Sequence, residues 1–243
     1  AGKPVLAAND VEKQSTQPVV VNPSYLSPAT YRIFAKVDAA HDWNALVENS
    51  YDILNRATEA PLDTGRGGLP PDWITLNRET GEVQSPSSGN TTNYGYDAIR
   101  TPWRVALDWQ WFDEPRAKQL AEKWQPLYEA WNTSGKLVAT YKHNGEYEAP
   151  AMYGGSIGAF MMQEPDAAQR VYDEKLKVLY SAAERGWREK LSYYDDNWTW
   201  FGLALYEDAL PNLAEDIQYW PAPPLRPLPT SDSCKGSRNE RFS

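Results

Sequence analysis

The chain is poor in the side chains that build disulfide frameworks and metal centres. Among its 243 residues there is one cysteine, Cys234, and there are two histidines, His41 and His143. A single cysteine excludes an intrachain disulfide and a cysteine cluster, and two histidines exclude a histidine-rich metal site. We therefore expect neither a metal nor a cofactor.

Long apolar runs and clusters of basic residues are missing as well. No apolar stretch approaches the roughly 20 residues that a membrane-spanning helix requires. The formal net charge is -9, whereas a nucleic-acid partner requires a basic surface. The sequence thus predicts a globular protein without a membrane span and without a nucleic-acid partner.

Aromatic side chains, in contrast, are abundant and of a particular kind. There are 11 tryptophans and 15 tyrosines against 5 phenylalanines. Tyrosine and tryptophan combine a large apolar face with a polar tip, which suits both a helical core and a carbohydrate cleft, since sugar rings have apolar faces and hydroxyl edges. We expect most of these rings in the core and about a third in a cleft.

Helical periodicity dominates the pattern of apolar residues, and the sequence predicts an all-α protein. In residues 43–57 apolar side chains recur at helical spacing, with Asp42 placed as the N-cap. Helices are expected over residues 28–40, 43–57, 97 or 101 to 112, 114–132, 150–163, 164–185 and 194–209. The buried face of the helix over 164–185 is expected to carry Val171, Leu176, Leu179 and Tyr180.

The remaining segments carry loop and turn signals. Residues 58–95 are rich in Gly, Pro, Ser, Thr and Asn, and we interpret them as one long loop that contributes to a site. Residues 136–149 alternate around Asn144-Gly145, which predicts a small hairpin. The expected organisation is one domain over 1–220 and a Pro-rich, polar tail over 221–243.

Residues 93–104 concentrate the chemistry of the chain. Asp97 stands three residues before Arg100, and residues three apart on a helical turn share a face. The guanidinium would favour the ionised carboxylate, and an ionised Asp among aromatic rings suits a general base that activates water over a sugar ring. From spacing alone, a structural ion pair at the start of a helix is the favoured interpretation, because exposed Asp–Arg pairs are common.

Four segments, taken together, resemble one family. Residues 93–104 read NYGYDAIRTPWR, residues 22–29 read NPSYLSPA, residues 68–73 read GLPPDW, and residues 193–198 read YYDDNW. They resemble the YDxxR-x-PWR signature and three further motifs of glycoside hydrolase family 8, the family of endoglucanases, cellulases, xylanases and chitosanases. Along the chain the four segments follow one another in the family's order. The resemblance covers roughly residues 2–210.

The resemblance implies an incomplete (α/α)6 barrel, of which this chain is the C-terminal part. Family members carry a Glu general acid in an early T-x-S-E-G-type segment and a further Asp in a D-G-D-L-D-type segment, and neither motif occurs here. The acid would then come from a companion polypeptide that carries the N-terminal half of the barrel. A barrel without its first helices is expected to expose apolar surface.

The resemblance also assigns roles to individual residues. Asp97 would be the general base of an inverting, endo-acting hydrolase of β-1,4-glucan, and Arg100 its electrostatic partner. The expected sugar contacts are Tyr25, Tyr96, Tyr194 and Trp73.

For the tyrosines, packing in the core remains an alternative. Trp103 is expected in the core, Asp72 in a turn or cap, and Asp195 and Asp196 in solvated caps.

Two other functions remain compatible with the sequence. The chain would be a non-catalytic glycan-binding or assembly subunit if no acid joins Asp97, and the same fold would serve xylan or chitosan with a different cleft. A polysaccharide substrate implies a secreted or periplasmic protein in each case.

Overall fold

The computed structural model describes residues 2–14, 16–59, 62, 68–86, 90–138, 148–212 and 215. The turn Asn144-Gly145 of the predicted hairpin and the predicted tail over 221–243 lie outside the described residues.

Helices form most of the described chain, and the predicted all-α class is confirmed. The helices are α1 (Val11–Gln14), α2 (Pro28–Val37), α3 (Trp43–Glu59), α4 (Arg100–Phe112), α5 (Pro115–Ala121), α6 (Gln125–Ser134), α7 (Pro150–Gln163), α8 (Pro165–Val171) and α9 (Tyr193–Tyr206). The strands are β1 (Val19–Val21), β2 (Ile74–Leu76), β3 (Val83–Gln84), β4 (Tyr180–Ser181) and β5 (Gly186–Trp187).

Helices α2 and α3 form much as the sequence predicts. Asp42 caps α3, because its Oδ1 accepts the amide N–H of Ala45 at 2.9 Å. The predicted inward face of α3 is confirmed by the burial of Leu46, Val47 and Leu54. Helix α2 ends at Val37, three residues before the predicted end.

The expected long loop over 58–95 contains β2 and β3, which form a small antiparallel sheet with β1, so that interpretation was wrong in part. Strand β2 lies between β1 and β3, with Val21 opposite Ile74 and Thr75 opposite Gln84. Strands of two or three residues are too short to show an alternating pattern, which is why the sequence did not reveal them.

The helix predicted over 114–132 is two helices, α5 and α6. The break precedes Pro126, which lies in the first turn of α6, because proline has no N–H to donate and its ring clashes with the carbonyl four residues earlier. The expected apolar face is nevertheless buried across both helices, at Leu120, Trp124, Leu127, Tyr128 and Trp131.

The helix predicted over 164–185 was also wrong in its second half. Helix α8 ends at Val171, and one π-helical and one 3-10 turn lead to a β4–β5 hairpin, with Arg185 in the left-handed region at φ 53°. Leu176 is buried as predicted, whereas Tyr180 is 40% exposed and packs edge-on against Trp187. Apolar periodicity therefore continues past the point where the backbone leaves the helix.

Helix α9 begins one residue before its predicted start and ends at Tyr206, short of the predicted 209. Ser192 caps it by accepting the N–H of Asp195 at 3.1 Å. At the other end Asp208 adopts a left-handed φ of 52°, which ends the helix.

Asp195 and Asp196 are half-buried and bonded to other elements, so the expectation of solvated caps was wrong. Asp195 Oδ1 accepts the N–H of Ala151 in the first turn of α7 at 3.2 Å. Asp196 accepts the indole N–H of Trp187. The two carboxylates therefore tie the start of α9 to α7 and to β5.

Helix α7 lies at the centre of the packing, between α4 and α9. It is buried almost throughout, and small residues set its spacing: a Cβ added to Gly154 would lie 2.0 Å from Trp198 O of α9, and one added to Gly158 would lie 2.5 Å from Ala106 Cβ of α4. The helix predicted over 150–163 is confirmed with the same bounds. In the described part of the chain, neither α7 nor any other helix has the length and apolarity to cross a membrane.

Candidate active site

The site begins with a tight turn that precedes α4. Residues 95–98 form this turn, and its backbone amides converge on one side chain. Asp72 Oδ1 accepts the N–H groups of Gly95, Asp97 and Ala98 at 3.1, 3.0 and 2.7 Å. Asp72 is therefore a turn residue, as the sequence predicts.

The side chain of Asp97 projects from this turn and is held on both oxygens. The indole N–H of Trp73 donates to Oδ2 at 3.0 Å, and Arg100 Nη2 donates to Oδ1. The predicted pairing of Asp97 with Arg100 is present. With 31% of the Asp97 side chain and 17% of the Arg100 side chain exposed, the pair lies at the edge of solvent.

Aromatic rings surround this ion pair on one side. Tyr25 packs edge-on against Trp73, with ring centroids 6.2 Å apart. The guanidinium carbon of Arg100 lies 5.5 Å from the centroid of the Tyr25 ring, in the range of a cation–π contact. Tyr25 comes from the 3-10 turn Pro23–Tyr25, so residues far apart in sequence meet at one place.

A second aromatic pair involves Tyr96, the turn residue directly before Asp97. The Tyr194 hydroxyl of α9 donates to the backbone oxygen of Tyr96, and the two rings meet edge-on at 5.3 Å. Burial raises the pKa of Tyr194, while the charge of Arg100 opposes that rise. Tyr194 is thus a neutral donor at neutral pH, and Tyr96 is 39% exposed.

Helix α4 begins at Arg100, one residue before the later of its two predicted starts, 101. Pro102 therefore stands third in its first turn. Trp103 is buried, and its indole N–H donates to Phe201 O at 2.9 Å, which confirms its place in the core. Asp97 therefore lies in the turn immediately before the helix.

Sequence reasoning missed Arg104, which lies one helical turn below Arg100. Its Nε is fully buried and has no hydrogen-bond partner, and no described carboxylate pairs with it. Burial lowers the pKa of Arg104, and the positive charge of Arg100 adds to this effect. The signal was the spacing of four from Arg100, which places both guanidinium groups on one helix face.

The described residues offer no evident metal centre. Within them, no group of three or more His, Cys, Asp or Glu side chains is arranged to hold an ion. The chemistry available at the site is that of a carboxylate, two arginines and aromatic rings.

Comparison with known families shows which family the chain belongs to. The family model described as glycosyl hydrolases family 8 matches residues 1–203. The chain belongs to glycosyl hydrolase family 8. The resemblance noted in the sequence motifs is thereby confirmed.

Among curated relatives of this family 8 chain are two bacterial endoglucanases. Endoglucanase A of Acetivibrio thermocellus is 27% identical over 220 residues, which cover 87% of this chain and 42% of the relative. Endoglucanase C of Ruminiclostridium cellulolyticum is 28% identical over 195 residues, which cover 76% of this chain and 36% of the relative. The chain therefore spans about two fifths of the length of the curated relatives it matches.

Solved structures show the same partial coverage. The β-1,3-1,4-glucanase of Paenibacillus sp. X4 superimposes with a TM-score of 0.65 at 19% identity, over 83% of this chain and 53% of that chain. The endo-1,4-D-glucanase of Vibrio fischeri ES114 gives 0.58 at 19% identity, over 78% and 51%. The fold is therefore part of the (α/α)6 barrel of this family, as predicted.

Proposed function

We propose that this chain supplies the general-base side of the active site of an inverting, endo-acting glycoside hydrolase that cleaves a β-1,4-glucan such as cellulose. Asp97 is the base and Arg100 its electrostatic partner. The observation that carries the proposal is the Asp97 carboxylate, held by Trp73 and Arg100 at a partly open surface in a chain of family 8.

The contacts of Asp97 suit proton abstraction from water. Each carboxylate oxygen accepts one hydrogen bond, from Trp73 or from Arg100, and keeps a further lone pair for a water molecule. An inverting hydrolase needs such a carboxylate to activate water on the ring face opposite the leaving group. The arginine places a positive charge beside the carboxylate that would accept the proton.

The rings around Asp97 suit a polysaccharide. Trp73 donates to the carboxylate and packs against Tyr25, and Tyr194 interacts electrostatically with Asp97 and packs against Tyr96. In the proposal these four side chains contact successive sugars, since their apolar faces match the C–H faces of pyranose rings and their polar tips match the hydroxyls.

The general acid, a Glu, comes from outside this chain in the proposal. Inverting hydrolases place their two carboxyl groups about 6.5–9.5 Å apart across the scissile bond. Asp72 is the described carboxyl group that neighbours Asp97 electrostatically, and its Oδ1 faces the backbone amides behind the turn. It is therefore directed away from a leaving group.

A companion polypeptide with the N-terminal half of the barrel completes the proposed enzyme. Its support is the partial coverage of the relatives and the exposure of apolar side chains such as Trp200 (51%) and Val178 (52%). The names of the relatives, which are endoglucanases and glucanases, support a glucan as the substrate. Because a polymer of this kind does not cross a membrane, the proposed location is secreted or periplasmic.

A second candidate function is a non-catalytic glycan-binding or assembly subunit. It is favoured by the position of Asp72, whose Oδ1 faces backbone amides. Among the described residues around Asp97, no second carboxylate then faces the cleft. Denaturing mass spectrometry of the protein purified from its source separates the two. A companion polypeptide, or a chain much heavier than 27.5 kDa, supports the hydrolase, and a lone species of 27.5 kDa supports the binding subunit.

The role of Asp97 is tested by Asp97→Asn in the complete enzyme. General-base catalysis contributes about 10²–10⁴-fold, so hydrolysis of a soluble cellulose derivative should fall by this factor while cellohexaose binding, measured by calorimetry, persists. Asp113→Asn is the matched control, because Asp113 is an exposed carboxylate outside the site. Near-normal turnover of Asp97→Asn would refute the assignment.

A further inference from the structure

Asp72 lies directly behind the turn that carries Asp97. The residue is 8% exposed, and its two carboxylate oxygens accept different hydrogen bonds. Oδ1 accepts three backbone N–H groups, and Oδ2 accepts the hydroxyl of Thr91 at 3.2 Å. This carboxylate is thus a central acceptor for the turn, and the amide of Asp97 itself is one of its donors.

The turn leaves room for this carboxylate only because of a glycine. A Cβ added to Gly95 would lie 2.4 Å from Asp72 Oδ2, closer than any non-bonded contact allows. Consecutive backbone N–H groups that point at one anion form a concave anion site, here filled by a side chain of the same molecule. The shape of the turn and the position of Asp72 therefore depend on each other.

Asp72 and its neighbour Trp73 hold Asp97 in two different ways. Asp72 binds the backbone of the turn, and Trp73 binds the Asp97 carboxylate through its indole N–H. The dipeptide is itself anchored, because its amides donate to Asn93 O at 2.8 Å and to Thr91 O at 3.0 Å. Backbone and side chain of Asp97 are consequently fixed from one rigid segment.

We propose that Asp72 is a positioning residue, whose carboxylate shapes the turn over residues 95–98 and thereby aims the Asp97 side chain. It is not a second acid. The proposal rests on the proposed function of Asp97 as the base, and it adds the group that sets the direction of that base.

The raised pKa of Asp72 is compatible with a positioning role. It also explains why Asp72 could be mistaken for a general acid. Burial raises the pKa of Asp72 to about 6, the amide of Ala98 opposes this, and the charge of Asp97 adds to it. Tyr194 from α9 is the other titratable group that faces it, and Thr91 donates from the preceding loop. A raised pKa beside a base resembles an acid–base pair, yet Oδ1 of Asp72 is occupied by three backbone amides and Oδ2 by the Thr91 hydroxyl.

The first test is amide hydrogen exchange by NMR on this chain, which requires no activity. Asp72→Ala leaves three amides without their acceptor, so exchange at Gly95, Asp97 and Ala98 should become roughly ten- to a hundredfold faster. Thr91→Val is the matched control, because it removes only the bond to Oδ2 and leaves the three amides bonded. Exchange in Asp72→Ala equal to that in Thr91→Val would overturn the proposal.

The second test measures the reaction of the complete enzyme. Misplacement of the base should lower kcat on the order of a hundredfold in Asp72→Ala and leave KM nearly unchanged, because the aromatic contacts remain. Asp72→Asn keeps an Oδ1 acceptor and should recover part of the loss. If the alanine variant does not fold, Asp72→Asn replaces it in the exchange experiment. Exchange at the same three amides should then be faster in Asp72→Asn than in Thr91→Val.

The two proposals fail in different ways. If Asp97→Asn retains its turnover while exchange at the three amides responds to Asp72→Ala, the role of Asp97 is wrong and the turn contact stands. If Asp97→Asn is inactive and Asp72→Ala has wild-type kcat, Asp97 is the base and Asp72 does not position it.

Discussion

Helix α4 carries a cluster of charges at each end, and the two clusters differ in how they are satisfied. At its C-terminal end the fully buried Asp108 accepts Arg32 Nε at 2.8 Å and the hydroxyl of Tyr51 at 2.7 Å. Glu114 then pairs with Arg32 and with Arg116. Within the described residues, each charge of this cluster has an opposite partner, and the cluster joins α2, α3 and α4.

At the N-terminal end of α4 the charges are only partly satisfied. Asp97 pairs with Arg100 and remains partly exposed, while Arg104, one turn further along, has an unbonded Nε and no carboxylate partner among the described residues. The comparison separates a closed network, which supports the scaffold, from an open one, in which a carboxylate and a cation remain available. The two ends therefore differ both in the exposure of their carboxylates and in the pairing of their charges.

The largest expected effect is the loss of the closed network. Asp108→Asn removes a buried charge and leaves Arg32 with weakened compensation, so the free energy of unfolding should fall by about 3–5 kcal/mol. Urea denaturation followed by circular dichroism measures this change. Asp113→Asn, at an exposed position where asparagine also adopts a left-handed φ, should change it by less than about 0.5 kcal/mol. A loss below about 1 kcal/mol in Asp108→Asn would contradict the role of the network.

Two carboxyl groups, Asp72 and Glu114, should respond to pH in opposite directions. The folded-state pKa of Asp72, about 6, lies above its ordinary value of 3.8, so the folded chain binds this proton more tightly than the unfolded chain. Its contribution to the free energy of unfolding therefore falls as pH rises from about 4 to about 6. Side-chain hydrogen bonds from Arg116 lower the pKa of Glu114 from 4.5 to about 2, so its contribution is present above pH 4.5 and is lost as pH falls to about 2.

Urea titrations at several pH values measure both contributions. The difference in unfolding free energy between wild type and Asp72→Asn should shrink as pH rises from about 4 to about 6, and the difference for Glu114→Gln should grow as pH rises from about 2 to about 4.5. Differences that move in the same direction would show that the two carboxyl groups do not belong to distinct environments.

A smaller effect is expected from the indole that holds Asp97. Trp73→Phe keeps an aromatic ring and removes one hydrogen bond to a carboxylate, so kcat of the complete enzyme should fall about tenfold with little change in KM. Trp43→Phe is the matched control, because the Trp43 indole donates to Asp38 at 3.0 Å in a turn outside the site. Equal kcat values in the two variants would show that the Trp73 hydrogen bond does not contribute to catalysis by Asp97.

The smallest effect concerns the unpaired cation. Arg104→Met replaces a buried, uncompensated charge by an apolar side chain of similar length, so the free energy of unfolding of this chain should rise by about 1 kcal/mol. Arg116→Met, which breaks bidentate contacts with Glu48 and Glu114, should lower it. A decrease in Arg104→Met as large as that in Arg116→Met would mean that Arg104 has a partner within the chain.

The sequence was informative where the interactions are local. The spacing of Asp97 and Arg100 predicted their ion pair, the apolar periodicity predicted the buried face of α3, and Asp42 was placed correctly as a cap. Each of these features depends on residues three or four apart, and such pairs are visible in one sequence. The assignment of site residues to a sugar cleft depends on the family motifs and remains a prediction.

The features that were missed depend on residues far apart in the chain. Arg32 and Asp108 are separated by 76 positions, and no periodicity connects them. Asp72 was expected in a turn, but its three amide donors lie 23 to 26 residues later. The breaks before Pro126 and after Val171 were hidden because the apolar pattern continues through them.

The close approach of α7 to its neighbours has a consequence for mutational scanning. A Cβ added to Gly202 would lie 2.4 Å from the Cα of Gly154, so alanine at either position collides with backbone. A mutational scan that measures only activity would therefore find these glycines to be as intolerant of substitution as the residues of the site, although they do not contact the site carboxylates. Expression level, measured beside activity, separates the two groups, because loss at the glycines depletes the folded protein while loss at Asp97 leaves it intact.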